Sequence, residues 1–145
     1  RSPSRGLGDV YKRQGVARNK EDLARGIEEI RELRKAFWSD LFIPGEPNEM
    51  NQQLEYANRV ADYIDLGELM CVDALDRDES CGAHYRDDHI SEDGEAERDD
   101  ANWCFVSAWE RGNNGPAWDQ SGHEFIRHAE PLTFEAVPLM TRNYK

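Results

Sequence analysis

The stretch RDESCGAHYRDDH, residues Arg77 to His89, brings acids, bases, a thiol and two imidazoles close together in sequence. Cys81 and His84 are three residues apart, a spacing at which helical side chains can touch, so they are a candidate thiol–imidazole nucleophile pair. A reactive thiolate needs an electropositive setting, whereas this pair lies among carboxylates. The composition therefore favours a packed cysteine over a catalytic one.

The same stretch also offers Cys81, His84 and His89 as zinc ligands. A structural zinc site normally takes four Cys or His ligands in recognisable pairs. The other Cys and His residues have no such spacing to these three. A small Cys/His metal-binding protein stays an alternative, and the residue pattern assigns no metal ligand.

The bulk composition limits the partners and the compartment. The chain has 145 residues, 33% of them charged, and a net charge of −12, which argues against a nucleic-acid partner. Its three cysteines are an odd, sparse set, typical of reduced thiols in the cytoplasm. The first fourteen residues are set apart from the fold, because SRGLGDVYKRQ (4–14) matches the translation of a common sequencing adapter.

Two amphipathic helices are predicted to position the chemical residues. Asn19 is the expected N-cap of the first helix, and an apolar stripe follows at Leu23, Ile27, Ile30, Phe37 and Leu41. The second helix runs from about Asn51 to Asp76, with inner residues predicted at Leu54, Ala57, Ala61, Ile64, Leu69, Met70 and Leu75. Pro44, Gly45 and Pro47 separate the two, so we expect an antiparallel pair.

Two strands are predicted beyond the helices. The alternation of WCFVSAWE, Trp103–Glu110, is typical of a strand, and LTFEAVPL, Leu132–Leu139, is its expected partner. The predicted fold class is α+β, an antiparallel helical hairpin or bundle followed by a C-terminal β-hairpin extension. The predicted domains are a non-native tail (1–14), a helical domain (15–100) and a β-hairpin segment (101–145).

The stretch ESCGAHYRDDH, followed by RDDANW, resembles a Glu-Ser-Arg-Gly-Ala-His-x-Arg-x-Asp … Arg-Asp-Asp motif. This motif lies near the C-terminus of succinate dehydrogenase and fumarate reductase flavoprotein subunits. Cys81 stands where the motif has its first Arg. The segments GVARNKEDLARGIEEIRELRKAFW and LTFEAVPLMTRNYK resemble the start of that subunit's helical domain and its C-terminal tail.

The resemblance implies a fragment of an FAD-dependent enzyme that interconverts succinate and fumarate. Electrons would pass from FAD to an iron–sulfur subunit and, through a membrane anchor, to quinone. The family's flavin-binding and substrate-binding residues precede this region, so no catalytic, cofactor or metal residue is assigned here. The fragment is expected to be inactive alone, and the parent to lie on the cytoplasmic face of the inner membrane.

The resemblance also suggests a role for the charged stretch as an interdomain network of hydrogen bonds and ion pairs. Arginine suits fixed, bidentate contacts with carboxylates, and the network would tie the helix end to the FAD domain. Its predicted members are Glu79, His84, Arg86, Asp87, Arg98, Asp99 and Asp100.

A further alternative is an independent, acidic helical protein-binding module. Its contact surface would use Trp103, Trp109 and Trp118. A start codon just before Gly15 would favour this module, whereas an FAD fingerprint upstream would favour the flavoprotein.

Overall fold

The computed structural model describes residues 17–46, 48–112 and 124–140. The chain forms two compact units that divide between Arg77 and Asp78. Helices and an antiparallel sheet follow each other along the chain, so the predicted α+β class is confirmed. The domain limits at residues 14, 15, 100 and 101 stay a prediction, and the tail 1–14 lies outside the described residues.

Helix α1 spans Lys20–Asp40. Its predicted N-cap is confirmed, because the Asn19 side chain accepts a hydrogen bond of 2.8 Å from the backbone N–H of Asp22, which satisfies one free donor of the first turn. The helix ends at Asp40, and the N–H of Leu41 donates to the carbonyl of Phe37 over 3.2 Å. Leu41 was predicted to join the apolar stripe but follows the last turn and is exposed.

Helix α2 spans Gln52–Asp76 and is capped by Asn51. The Asn51 side chain accepts from the N–H of Gln53 over 3.0 Å and donates to the carbonyl of Pro44 over 2.9 Å. Gly45 lies at φ +121°, a conformation that favours glycine, and a Cβ there would lie 2.5 Å from Asn51 Nδ2, so the Asn51 side chain would have to move. Asn51 thus joins the interhelical connection to the start of α2. Pro47 lies outside the described residues.

The core of the first unit is small and lies between the two helices. Its buried members are Leu23 and Ile27 of α1 with Cys71 and Ala74 of α2, and Ile30, Val72 and Leu75 pack against them. The inner face of α2 follows Ile64, Glu68, Cys71 and Leu75, spaced by four, three and four residues. Leu54 and Met70 were predicted on the inner face and are exposed instead, because the two helices meet mainly along the stripe that begins at Ile64.

The second unit contains a short helix α3, Asp100–Trp103, and two strands, β1 (Phe105–Arg111) and β2 (Phe125–Pro131). The strands pair antiparallel, with Phe105 opposite Pro131 and Trp109 opposite Arg127. The guanidinium of Arg127 lies 5.4 Å from the ring centre of Trp103 and 5.1 Å from that of Phe105, a cation–π arrangement between β2 and the end of α3 with the start of β1.

The first predicted strand is confirmed from Phe105 to Glu110, and the position predicted for the second strand is wrong. Trp103 belongs to α3, because the Asp99 side chain caps that turn by accepting from Asn102 N–H. The second strand is Phe125–Pro131 rather than Leu132–Leu139, since the pairing with β1 ends where Leu132 N–H donates to Cys104 O over 3.1 Å. Alternation marks residues that suit a strand, but the cross-strand register decides which of them pair.

Within the ranges described, no helix has both the length and the apolar character that crossing a bilayer requires.

Candidate functional site

Arg86 is the centre of the charged stretch. Its side chain is 1% exposed, and it donates from Nε and Nη2 to the two Asp88 carboxylate oxygens over 2.8 and 2.6 Å. Its Nη1 lies 3.1 Å from Asp78 Oδ1. The hydrogen bond to Asp88 raises the pKa of Arg86, against the opposing effect of burial. This bidentate pair fixes the guanidinium in orientation as well as in charge.

The backbone around Arg86 is held by Ser80, which is also buried. The Ser80 hydroxyl accepts from Arg86 N–H over 2.8 Å and donates to Arg86 O over 3.0 Å. The N–H of Ser80 donates to the carbonyl of Glu97 over 2.8 Å. One serine therefore joins three separate parts of the loop. We call Asp78, Ser80, Arg86 and Asp88 the Arg86 cluster.

Cys81 and His84 are joined through their backbones in a tight turn. The N–H of Cys81 donates to His84 O over 2.8 Å, and the N–H of His84 donates back to Cys81 O over 3.0 Å. Gly82 supplies the left-handed conformation that the turn needs, at φ +60°. Among the residues that the structure describes, no three His, Cys, Asp or Glu side chains are grouped so as to hold a metal ion. Cys81 and His84, which are close in sequence, therefore form the two ends of a tight turn rather than neighbouring positions on a helix.

Glu79 links the charged stretch to the segment before the sheet. It is 2% exposed, and its Oε2 accepts from Asp99 N–H over 2.9 Å. Next to it, Arg98 donates to Asp100 Oδ2 over 2.8 Å and to Met140 O over 3.1 Å. The hydrogen bond to Asp100 raises the pKa of Arg98. The start of α3 is therefore tied to the loop and to the end of the described chain.

The predicted interdomain network stays a prediction, and the structure places several of its residues in separate local contacts. Arg86 pairs with Asp78 and Asp88, while the predicted Asp87 is exposed. His84 is half-buried in its turn. Five predicted residues lie in the contacts described above: Glu79, Arg86, Arg98, Asp99 and Asp100. Sequence reasoning missed Ser80, Asp78 and Asp88, although Asp88 is the aspartate of the Arg-x-Asp pair in the motif.

A second buried charge cluster, which the sequence did not reveal, lies between α1 and α2. Glu68 is 0% exposed, and its Oε2 lies 2.5 Å from Arg34 Nη2. Arg31 Nε donates to Glu68 Oε1 over 2.8 Å, and Arg34 Nε donates to Asp65 Oδ1 over 3.0 Å. The hydrogen bond to Glu68 raises the pKa of Arg31. We call Arg31, Arg34, Asp65 and Glu68 the interhelical ion cluster. The sequence signal that could have indicated this cluster is Glu68, a glutamate at an inner position of the apolar stripe of α2.

Comparison with known proteins identifies the region. The profile of the family described as fumarate reductase flavoprotein C-term matches residues 7–144.

Solved structures share the fold of the chain. It is similar to a mutant of Escherichia coli quinol fumarate reductase FrdA, with a TM-score of 0.72 and 23% identity over 92% of this chain and 20% of that one. It is also similar to a quinol–fumarate reductase with menaquinol, with a TM-score of 0.65 and 25% identity over 85% and 19%. The chain is similar to Mycobacterium smegmatis Sdh1 in complex with UQ1 as well, with a TM-score of 0.67 and 20% identity over 87% of this chain and 19% of that one. The chain therefore spans about one fifth of the length of these relatives.

Proposed function

Since the chain belongs to the family of fumarate reductase and succinate dehydrogenase flavoprotein C-terminal domains, we propose that it is the helical and capping part of such a subunit. In this proposal it packs on the FAD domain and performs no reaction alone. The parent interconverts succinate and fumarate and exchanges electrons with quinone through an iron–sulfur subunit and a membrane anchor. Its place is the cytoplasmic face of the inner membrane.

The observation that carries this proposal is the Arg86 cluster. It lies in the stretch with the family motif, and its arginine is occupied by two carboxylates of the same stretch. An arginine that binds a dicarboxylate substrate must offer its donors to that substrate, whereas Arg86 uses three nitrogen atoms on Asp78 and Asp88 and is buried. This arrangement supports a bracing role.

FAD supplies the hydride chemistry of the parent enzyme when it is bound. A dinucleotide site is built from parallel strands, a glycine-rich turn and a helix, and the described part of this chain has one antiparallel two-stranded sheet. These residues do not fit FAD, so we place the cofactor and the substrate residues in the part of the subunit that precedes this region.

The proposal is tested by comparing the 145-residue chain with the full-length subunit that contains it. We expect the chain alone to carry no flavin absorbance and to catalyse neither succinate oxidation nor fumarate reduction with dye electron carriers. The full-length subunit should do both. Turnover or bound flavin in the isolated chain would overturn the proposal, as would a full-length gene that encodes no flavin-binding part.

A further inference from the structure

Helix α2 carries a second apolar face besides the one that packs on α1. Tyr56, Val60, Tyr63, Leu66 and Met70 are between 45% and 66% exposed. They follow each other at intervals of four, three, three and four residues, so they form one stripe along the helix. We call these five residues the outer stripe.

The outer stripe is not needed to hold the helical hairpin together. The α1 contact uses Cys71 and Ala74, with Glu68 in the interhelical ion cluster. A helix with apolar residues on two sides is typical of an element packed between two partners. The outer stripe therefore needs a second partner.

The chemistry of the stripe and its surroundings selects among possible partners. Tyrosine and methionine are enriched in the buried centres of interfaces. A second copy of this chain would bring another net charge of −12 to the contact, and such self-repulsion opposes association. Asp62, four residues before Leu66, is exposed beside the stripe. A suitable surface is thus apolar at its centre, with neutral or basic groups at the rim.

The matched relatives indicate where such a surface lies. This chain covers 20% of the E. coli FrdA chain, so most of a polypeptide of that kind lies outside the region described. We propose that the outer stripe of α2 is the docking surface for the flavin-bearing part of the same subunit. This inference rests on the proposed function and assigns to it a specific contact surface.

Hydroxyl-radical footprinting tests the proposal, because tyrosine and methionine side chains report their own exposure through oxidation. We expect Tyr56, Tyr63 and Met70 to be labelled in an isolated chain whose helices are shown to be formed by circular dichroism, and to be labelled several-fold more slowly in the full-length subunit. Met50, fully exposed in the connection between the helices, provides an internal comparison within the same chain.

Each result has a distinct meaning. Unchanged labelling of the stripe in a subunit that holds FAD and turns over succinate would overturn the docking surface and leave the proposed function standing. Protection that already appears in the isolated chain and grows with its concentration would assign the stripe to a second copy and overturn the proposal. A full-length subunit without flavin would refute the proposed function, and this inference with it.

A pair of charge-matched variants completes the test. Val60→Asp places a carboxylate in the outer stripe, whereas Asn58→Asp adds the same charge at an exposed position of α2 outside it. In the full-length subunit, Val60→Asp should increase the labelling of Tyr63, and Asn58→Asp should leave it unchanged. Circular dichroism of both variants checks that α2 is intact. Equal behaviour of two folded variants would count against the proposal.

Discussion

Arg86 shows how a buried charge can be structural. Its guanidinium is held by Asp88 and Asp78, whose side chains are 30% and 61% exposed. Removal of the arginine would therefore leave carboxylates that water can still solvate, which limits the loss of unfolding free energy. The remaining loss comes from the hydrogen bonds and from the packing of the arginine stem.

We expect Arg86→Ala to lower the free energy of unfolding of the chain by about 2 kcal/mol, as for a hydrogen bond to a charged partner with some lost packing. Urea denaturation followed by tryptophan fluorescence measures this. Arg59→Ala is the control, since Arg59 pairs with Glu55 on an exposed helix face and should cost about 0.5 kcal/mol or less. Equal losses for the two variants would contradict a bracing role for Arg86.

Cys71 predicts a pH dependence. It is 3% exposed, and burial raises the pKa of its thiol above the ordinary 9.0. The folded state therefore keeps a proton that the unfolded state has released, so the stabilisation is complete below pH 9.0 and is lost as the pH rises through the folded pKa. Urea denaturation on both sides of pH 9.0 should show a steeper decline for the wild type than for Cys71→Ala. Parallel declines would exclude this thiol as the cause.

At the scale of the elements, the interhelical ion cluster predicts an asymmetric response to mutation. Glu68→Ala leaves Arg34 buried without its closest carboxylate, and we expect it to cost about 3 kcal/mol of unfolding free energy. Replacing both Arg34 and Glu68 with leucine should recover much of this lost stability, because a well-packed apolar pair can substitute for a buried ion pair. Chemical denaturation in a double-mutant cycle measures the coupling. A double variant less stable than Glu68→Ala would refute this explanation. Glu55→Ala, on the exposed pair, should be nearly neutral.

The helices were predictable from sequence because their signals are local. Asn19 and Asn51 cap the helices by bonding to residues two or three positions later, so the cap and the apolar stripe are visible without a partner. The position of β2 was not predictable in this way, because it depends on pairing with β1 across a long connection. Leu132–Leu139 has suitable residues for a strand, but the ladder ends before it.

The same distinction applies to the candidate site. The motif ESCGAHYRDDH and the Arg-Asp-Asp that follows indicated which stretches carry the charged contacts, and the buried Glu79 and Arg86 are among them. The choice of Asp88 over Asp87 depends on which side of the loop each faces. The interhelical ion cluster depends on the rotation of α2 against α1. The spacing of residues in the sequence alone predicts neither the pairing of Arg86 with Asp88 nor the interhelical ion cluster.

At the scale of the whole molecule, the strongly acidic charge predicts sensitivity to salt. The chain has 30 acidic and 18 basic residues, so net repulsion opposes the compact state. Salt at about 0.1 M screens charges beyond roughly 10 Å, while the short buried pairs are screened much less. We expect the thermal midpoint to rise when NaCl is added from low ionic strength. A falling midpoint would mean that surface ion pairs outweigh the repulsion.

The interhelical ion cluster also has a consequence for behaviour with temperature. Hydration of charged groups becomes less favourable on heating, so the cost of keeping Arg34 and Glu68 out of water falls as the temperature rises. The apolar cluster that contains Leu23 and Cys71 loses strength on cooling. Both trends act in the same direction, so these two contributions to the helical hairpin weaken on cooling, and on warming they offset part of the rising cost in conformational entropy.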